Sequence, residues 1–277
     1  MAFPITPTTA RLIEVAEVAF INAQIQGARR LFPSDGFLAE PVGGGVAAVT
    51  KASFGRKLNH VAGFGMDGPV TYKDLGTIER LYEKIGVPVE INLCPFAHPT
   101  TLEQLHARGY KTCAEMNVYA IALPEYETEG GSGETTNELT ISHVAPEDHP
   151  AFIELSSAGF QSGNPQSDLF HTLSATATIR PDTRLYFARI NGQIAGTAGM
   201  ALLDTPLGRV AELYIDSTVP EFRGKGIQLA LLKARLAEAK NDGCDLAAVT
   251  TWPTGTSARN VERAGFRLAY KKDVYTI

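Results

Sequence analysis

Cysteine is scarce in this chain, with Cys94, Cys113 and Cys244 the only three in 277 residues. An odd set without metal-ligand spacing argues against a disulfide framework and points to a reducing compartment. Each suits a small buried hydrophobe better than a nucleophile. Long apolar runs are missing too: no stretch approaches the roughly 18 consecutive apolar residues of a membrane span. Arg11, Glu14 and Glu17 interrupt the apolar residues near the N-terminus, which does not read as a secretory signal. The expectation is a cytoplasmic protein without a membrane partner. There is no basic run, and the formal net charge is -5, which argues against nucleic acid as a partner. His60, His98, His106, His143, His149 and His171 show no HExxH or other close ligand spacing, so no metal is expected.

What is present is the composition of an ordinary globular protein, 44% hydrophobic and 20% charged. The length suits one large or two modest domains. The informative stretch is Val219-Pro220-Glu221-Phe222-Arg223-Gly224-Lys225-Gly226-Ile227-Gln228. Gly224 and Gly226 permit unusual dihedrals and a close backbone approach. Leu229, Leu231, Leu232, Leu236 and Ala239 follow at helical spacing. Unpaired N–H groups at that helix start, with the positive end of the dipole behind them, form an anion site, and Arg223 and Lys225 add charge. The bland alternative is a glycine-rich turn with two solvated basic residues. A strand at Arg209 to Ile215 precedes the turn, and a second, Asp245 to Thr251, follows a helix closed by Gly243. The turn lacks a Lys-Ser or Lys-Thr after its last glycine and lacks a three-glycine fingerprint, which disfavours nucleotide hydrolysis and NAD binding.

These residues resemble the GNAT (Gcn5-related) N-acetyltransferase superfamily. Its pyrophosphate loop reads Arg or Gln, two residues, Gly, one residue, then Gly or Ala; Arg223 and Gly226 fit, and Gln228 departs at the last position. The resemblance continues through Thr256 to Phe266 and the strand after it, covering the chain from near Glu138 to Ile277. It implies a mixed α/β sheet that splays between two central strands, with acetyl-CoA in the gap and direct transfer of an acetyl group to a primary amine on a small molecule or a protein. It also implies cofactor contacts from Arg223, Gly224, Lys225, Gly226, Ile227, Gln228 and Asn260, and from the backbone of Ser217, Thr218 and Val219. A noncatalytic acyl-CoA sensor or interaction module is the alternative.

Gly109 to Ile121 aligns with Gly265 to Ile277, and Gly86 to Pro95 parallels Gly243 to Pro253. Two GNAT-like domains in tandem are therefore expected, each a mixed sheet flanked by helices: residues 1–123, an acidic glycine-rich connector over 124–137, and a catalytic domain over 138–277. Where the second copy has its phosphate turn, the first has Gly63 to Val70 with Asp67 inside it, so only the second copy is expected to bind CoA. A helix is expected from Tyr72 to Ile85, a hairpin turn at Asn191-Gly192, and an irregular lead-in over residues 1–9.

Transfer to an amine needs a proton acceptor and, usually, a donor for the departing thiolate. Glu212, on the strand leading to the turn and sharing a face with Val210 and Tyr214, is the candidate base. A salt-bridged or solvent-facing glutamate is the other reading of it. Val261 stands where the family carries its tyrosine acid. Tyr214, Tyr270 and Tyr275 remain, the last two better suited to packing, so Tyr214 is the second catalytic candidate. Thr256 and Ser257 are expected to cap their helix, with Arg259 and Arg263 facing solvent, the alternative being a CoA phosphate. The acceptor walls are expected from loops, Gly159 to Thr178 and parts of the first half.

Overall fold

A computed structural model describes residues 5–127, 139–160 and 167–277. Residues 1–4 of the lead-in, most of the connector, the expected domain start at Glu138 and part of the Gly159 to Thr178 segment lie outside those described.

The first element corrects the sequence expectation. Residues Pro7–Leu31 form a 25-residue helix, α1, rather than continuing an irregular lead-in to residue 9. Thr6 caps it, accepting from the Thr9 amide in a reciprocal capping box, and Pro7 takes the first turn, where its missing N–H leaves no bond unmade. Next come β1 (Leu38–Val42) and β2 (Gly45–Val49), joined through Gly43 and Gly44 at φ 54° and 80°. The short helix α2 (Gly55–Leu58), β3 (Val61–Ala62), α3 (Tyr72–Ile85), β4 (Glu90–Leu93), α4 (Pro99–Ala107) and β5 (Lys111–Ala122) complete the first half. The second half runs β6 (Leu139–His143), α5 (His149–Phe160), α6 (Ser167–Ile179), β7 (Thr183–Ile190), β8 (Gln193–Thr205), β9 (Gly208–Thr218), α7 (Ile227–Asn241), β10 (Leu246–Thr251), α8 (Thr256–Arg263) and β11 (Arg267–Thr276). Residues 167–178 of the expected acceptor loop thus lie in a helix. Asn191 and Gly192, both at positive φ, turn the β7–β8 hairpin as expected.

All described strands form one mixed sheet in the order β1-β2-β3-β4-β11-β5-β10-β9-β8-β7-β6. The order is the consequential feature, because each half lends its last strand to the other. β5, from the first half, pairs antiparallel with β10 through Tyr119↔Val249, and β11, from the second, pairs antiparallel with β4 through Tyr275↔Ile91. The two exchanged strands also pair with each other along most of their length. Inside each half two parallel strands part. β10 and β9 stay in register only from Leu246↔Val210 to Ala248↔Glu212, and β3 meets β4 only at Val61↔Ile91.

On one face, α7 and α8 bury Leu231, Leu232, Leu236 and Val261 against β8 to β10 and against Tyr119 and Leu123 of the first half. On the other, α1 spans both halves: Ala10, Ile13 and Ala16 pack on Val210, Leu203 and Ala248, while Ile21 and Ile25 pack on Ala48, Ala62 and Leu169. Cys94 and Cys244 are buried as expected, and burial raises their thiol pKa values to about 12 and about 11. Cys113 instead lies exposed on β5.

Expressed alone, residues 139–277 would leave the β10 edge without β5, a row of unpaired N–H and C=O groups that templates aggregation. We expect this fragment to elute as an aggregate or to lack a cooperative thermal transition, whereas the full chain unfolds in one. A monomeric fragment with a sharp transition by circular dichroism would contradict the exchange.

Candidate active site

The splay begins immediately after Glu212, and a bulge holds it open. On β9, Ile215 and Asp216 together oppose the single residue Ala198 of β8. Ile215 has φ 55°, a conformation that a β-branched residue adopts only under constraint. The constraint comes from Arg235 of α7, which is fully buried. Its guanidinium donates to the Leu231 carbonyl at 3.0 Å, to the Gly199 carbonyl at 2.8 Å and to both carboxylate oxygens of Asp216. A buried cation is tolerable only when paired and bonded in this way. β8 must come close to the bulge: a Cβ on Gly199 would sit 3.0 Å from Ile215 Cγ2 and 3.1 Å from the Tyr214 ring.

Beyond the bulge, the chain tightens through a 3-10 turn over Pro220–Phe222. The Val219 amide donates to Ala195 O at 3.0 Å and its carbonyl accepts from Phe222 at 2.9 Å. The Val219 amide is thus already paired within the protein, and its carbonyl keeps a second lone pair. Gly224 and Gly226 then adopt left-handed φ of 79° and 77° and deliver the chain into α7. The N-cap is Gly226, with no side-chain capping bond, and the first helical N–H bond runs from Ala230 to Gly226 O at 3.0 Å. Among the described residues, the amides from Gly224 to Leu229 donate to no backbone carbonyl. Arg223, exposed, donates to Gly159 O at 3.0 Å, and Lys225 Nζ lies 5.1 Å from the centre of the Phe222 ring. Asn260 Nδ2 donates to Gln228 Oε1 at 2.8 Å, and Gln228 Nε2 to Ser257 Oγ at 3.3 Å, tying α8 to the α7 terminus. Gly255 is the N-cap of α8, so Thr256 and Ser257 lie inside the helix rather than capping it. Arg259 and Arg263 are exposed as expected.

The first half treats the corresponding place oppositely. Thr71 caps α3, accepting from Asp74 N at 3.3 Å, while Asp74 Oδ2 accepts from Thr71 N at 2.7 Å. A side-chain carboxylate thus stands where an incoming anion would bind. Phe64, fully buried, plugs the preceding turn; a Cβ on Gly43 would come within 2.4 Å of its ring. Asp67 pairs with Arg11 at 3.1 Å.

Glu212 and Tyr214 do share a face, and that face meets α1. The Tyr214 ring stands edge-on to Phe20 with centroids 4.8 Å apart, and its hydroxyl exchanges a hydrogen bond with Thr183 Oγ1 at 2.9 Å. Burial raises its pKa. Arg180, at the end of α6, is buried over the Phe20 ring and bonds Asp182 at 2.9 Å and 2.8 Å. The Glu212 carboxyl has a pKa well above the usual range, chiefly through withdrawal from water and then through the negative charge of Glu17. Of the spare tyrosines, Tyr275 packs against His106, and Tyr270 donates to Glu14 at 2.6 Å. The sequence did not disclose Arg235, Asp216, Glu17 or Lys272. Arg235 left one signal, a cation four residues after Leu231 on the apolar stripe.

The sequence model described as the acetyltransferase (GNAT) family matches residues 149–266, which contain this splay, bulge and turn. The match lies wholly within the second half of the chain. No curated protein matches the chain. Among solved structures, a GCN5-related N-acetyltransferase from Kribbella flavida superimposes with TM-score 0.64 at 17% identity, covering 95% of this chain and 96% of that one. A tandem GNAT protein from the clavulanic acid biosynthesis pathway gives 0.62 at 12% identity over 96% and 93%. A GCN5-related N-acetyltransferase from Sphaerobacter thermophilus gives 0.54 at 16% over 98% and 93%. At these identities the likeness is one of fold, and it extends over both halves. The family match and the shared fold support acyl-CoA N-acyltransferase activity in general terms. Among the described residues, no cluster could hold a metal, and no helix is long and apolar enough to cross a membrane.

A carboxyl whose folded pKa lies above its unfolded value favours folding at low pH, and that contribution is lost as pH rises from the unfolded pKa through the folded one. Glu212→Gln should therefore raise Tm at pH 8, by about 2–4 °C for each kcal/mol recovered, with the gain vanishing toward pH 4. Equal Tm shifts at both pH values, by calorimetry, would contradict the raised pKa.

Proposed function

We propose that the second half is an acetyl-CoA-dependent N-acetyltransferase for a primary amine, that the α7 terminus holds the cofactor's pyrophosphate, and that the first half binds no CoA. The observation that carries this reading is the contrast between α7, whose leading amides have no backbone acceptor, and α3, whose N-terminus is closed by its own capping box. The residues present fit a pyrophosphate: successive outward N–H groups at a helix start, two glycines in left-handed conformation, and Arg223 and Lys225 beside them. Gln228 and Asn260, bonded to each other, border the arm of the cofactor nearest α8. Ser217 and Thr218 line the β9 side of the splay.

Bound acetyl-CoA supplies the acyl carbon and a thiolate leaving group. Glu212 takes a proton from the acceptor ammonium and frees the nitrogen lone pair. A carboxyl of raised pKa suits that transfer near neutral pH better than an ordinary one. Tyr214, bonded to Thr183 on the same face, is the residue there that can return a proton. Because Val261 carries no acid, the thiolate is otherwise left to depart unassisted, which the acidity of the CoA thiol permits.

Arg223→Ala should weaken acetyl-CoA binding about tenfold by isothermal titration, the loss of one charge-assisted contact. Glu212→Gln should retain that affinity and lower kcat by about 10²-fold in a thiol-release assay over a panel of amines. Tight binding with no turnover of any amine would favour the sensor reading. Unchanged affinity in Arg223→Ala would remove that residue from the site.

A further inference from the structure

α1 lies along β9 in step with it. Ala10, Ile13 and Ala16 share one core cluster with Val210, and Phe20, seven residues past Ile13, meets Tyr214. Glu212, midway between Val210 and Tyr214 on the same face, lies on the stretch of β9 that α1 covers, within electrostatic reach of Glu17. Glu17 is not left to find its own orientation. Lys272 of the exchanged strand β11, 1% exposed, donates to Glu17 and lies 2.6 Å from Glu14 Oε1. Glu14, fully buried, also accepts from the Tyr270 hydroxyl at 2.6 Å. Two carboxylates of the first half are thus fixed by a lysine and a tyrosine of the second, next to the residue assigned as base.

We propose that Glu17 is a positioning residue for Glu212, and that Lys272 holds Glu17 in place to serve it. The first half, although closed to CoA, thereby completes the catalytic centre of the second. The proposal rests on the reading of Glu212 as the base. Its physical content is that a fixed negative charge beside a half-buried carboxyl disfavours ionisation and keeps the group proton-avid enough to deprotonate an ammonium. The charges acting on Glu212 include Glu14 and Glu17 of α1, Lys272 of β11 and Arg180, paired with Asp182, at the end of α6; Tyr214 lies on its own strand, and Tyr270, Cys94 and His60 face the same cluster of Glu14, Glu17 and Lys272. The carboxylates oppose its ionisation, whereas Lys272 and Arg180 favour it. Removing Glu17 and removing Lys272 should consequently move the same titration in opposite directions, which a purely structural role would not do.

The test uses the full-length protein. The Glu212 carboxyl is followed by NMR with side-chain-labelled glutamate, assigned by its loss in Glu212→Gln, alongside the pH profile of kcat/KM with the best amine acceptor. Glu17→Gln should lower the Glu212 titration and move the acid limb of kcat/KM to lower pH, read as about a threefold or larger rise in rate on that limb. Lys272→Met should move both upward. If it does not fold, Glu17→Gln and Glu17→Asp decide the matter, the aspartate keeping the charge and hence a near wild-type titration. An unmoved Glu212 titration in Glu17→Gln overturns the proposal. A titration that moves while the rate profile stays fixed shows that the coupling is real and overturns the assignment of Glu212 as base.

Discussion

Backbone pairing between the exchanged strands β5 and β11 is the constraint on which the rest of the structure depends. Neither strand sits in the half that encodes it, so the edges of β4 and β10 are satisfied only when both halves are folded. The exchange carries chemistry with it. β11 brings Lys272 under α1, and β5 brings Tyr119 beneath α8, where its hydroxyl donates to Glu262 at 2.9 Å. α1 then crosses the join and packs on β9. The division into two copies describes the chain's ancestry better than its physical units.

Within that frame the two halves use one local geometry, strand, glycine turn and helix, for different ends. In the second, a strained bulge and the buried Arg235–Asp216 pair keep β9 away from β10 past Ala248, and α7 begins without a cap. Orphan amides at a helix start are tolerable when water or a ligand accepts from them. In the first, Thr71, Asp74 and Phe64 supply internally what a ligand would supply. On the proposed reading, the first copy keeps the scaffold while its own side chains fill the site, and its contribution to catalysis is the Glu17 charge on the α1 face.

The features legible in the sequence were those set by local chemistry. The stripe of Leu75, Ile78 and Tyr82 fixed α3 as Tyr72–Ile85, Asn191-Gly192 fixed a hairpin, and Gly224 and Gly226 fixed the uncapped turn, because dihedral preference and periodicity act within a few residues. α1 was obscured by Glu14 and Glu17, whose charges break the apolar pattern and which pair with Lys272, more than 250 positions away. Strand exchange was invisible for the same reason: the aligned repeat says that β5 and β11 are equivalent but not which neighbour each takes. Arg235 and Asp216 are likewise unremarkable until the fold places them in contact.

Hydrogen–deuterium exchange with and without acetyl-CoA tests most directly the claim that one half binds cofactor and the other is sealed. The account predicts new protection confined to the second copy, at the amides from Gly224 to Leu229 and along β9 from Leu213 to Thr218, with none added between Thr71 and Leu75. Protection at the start of α3, or none at the start of α7, would contradict it.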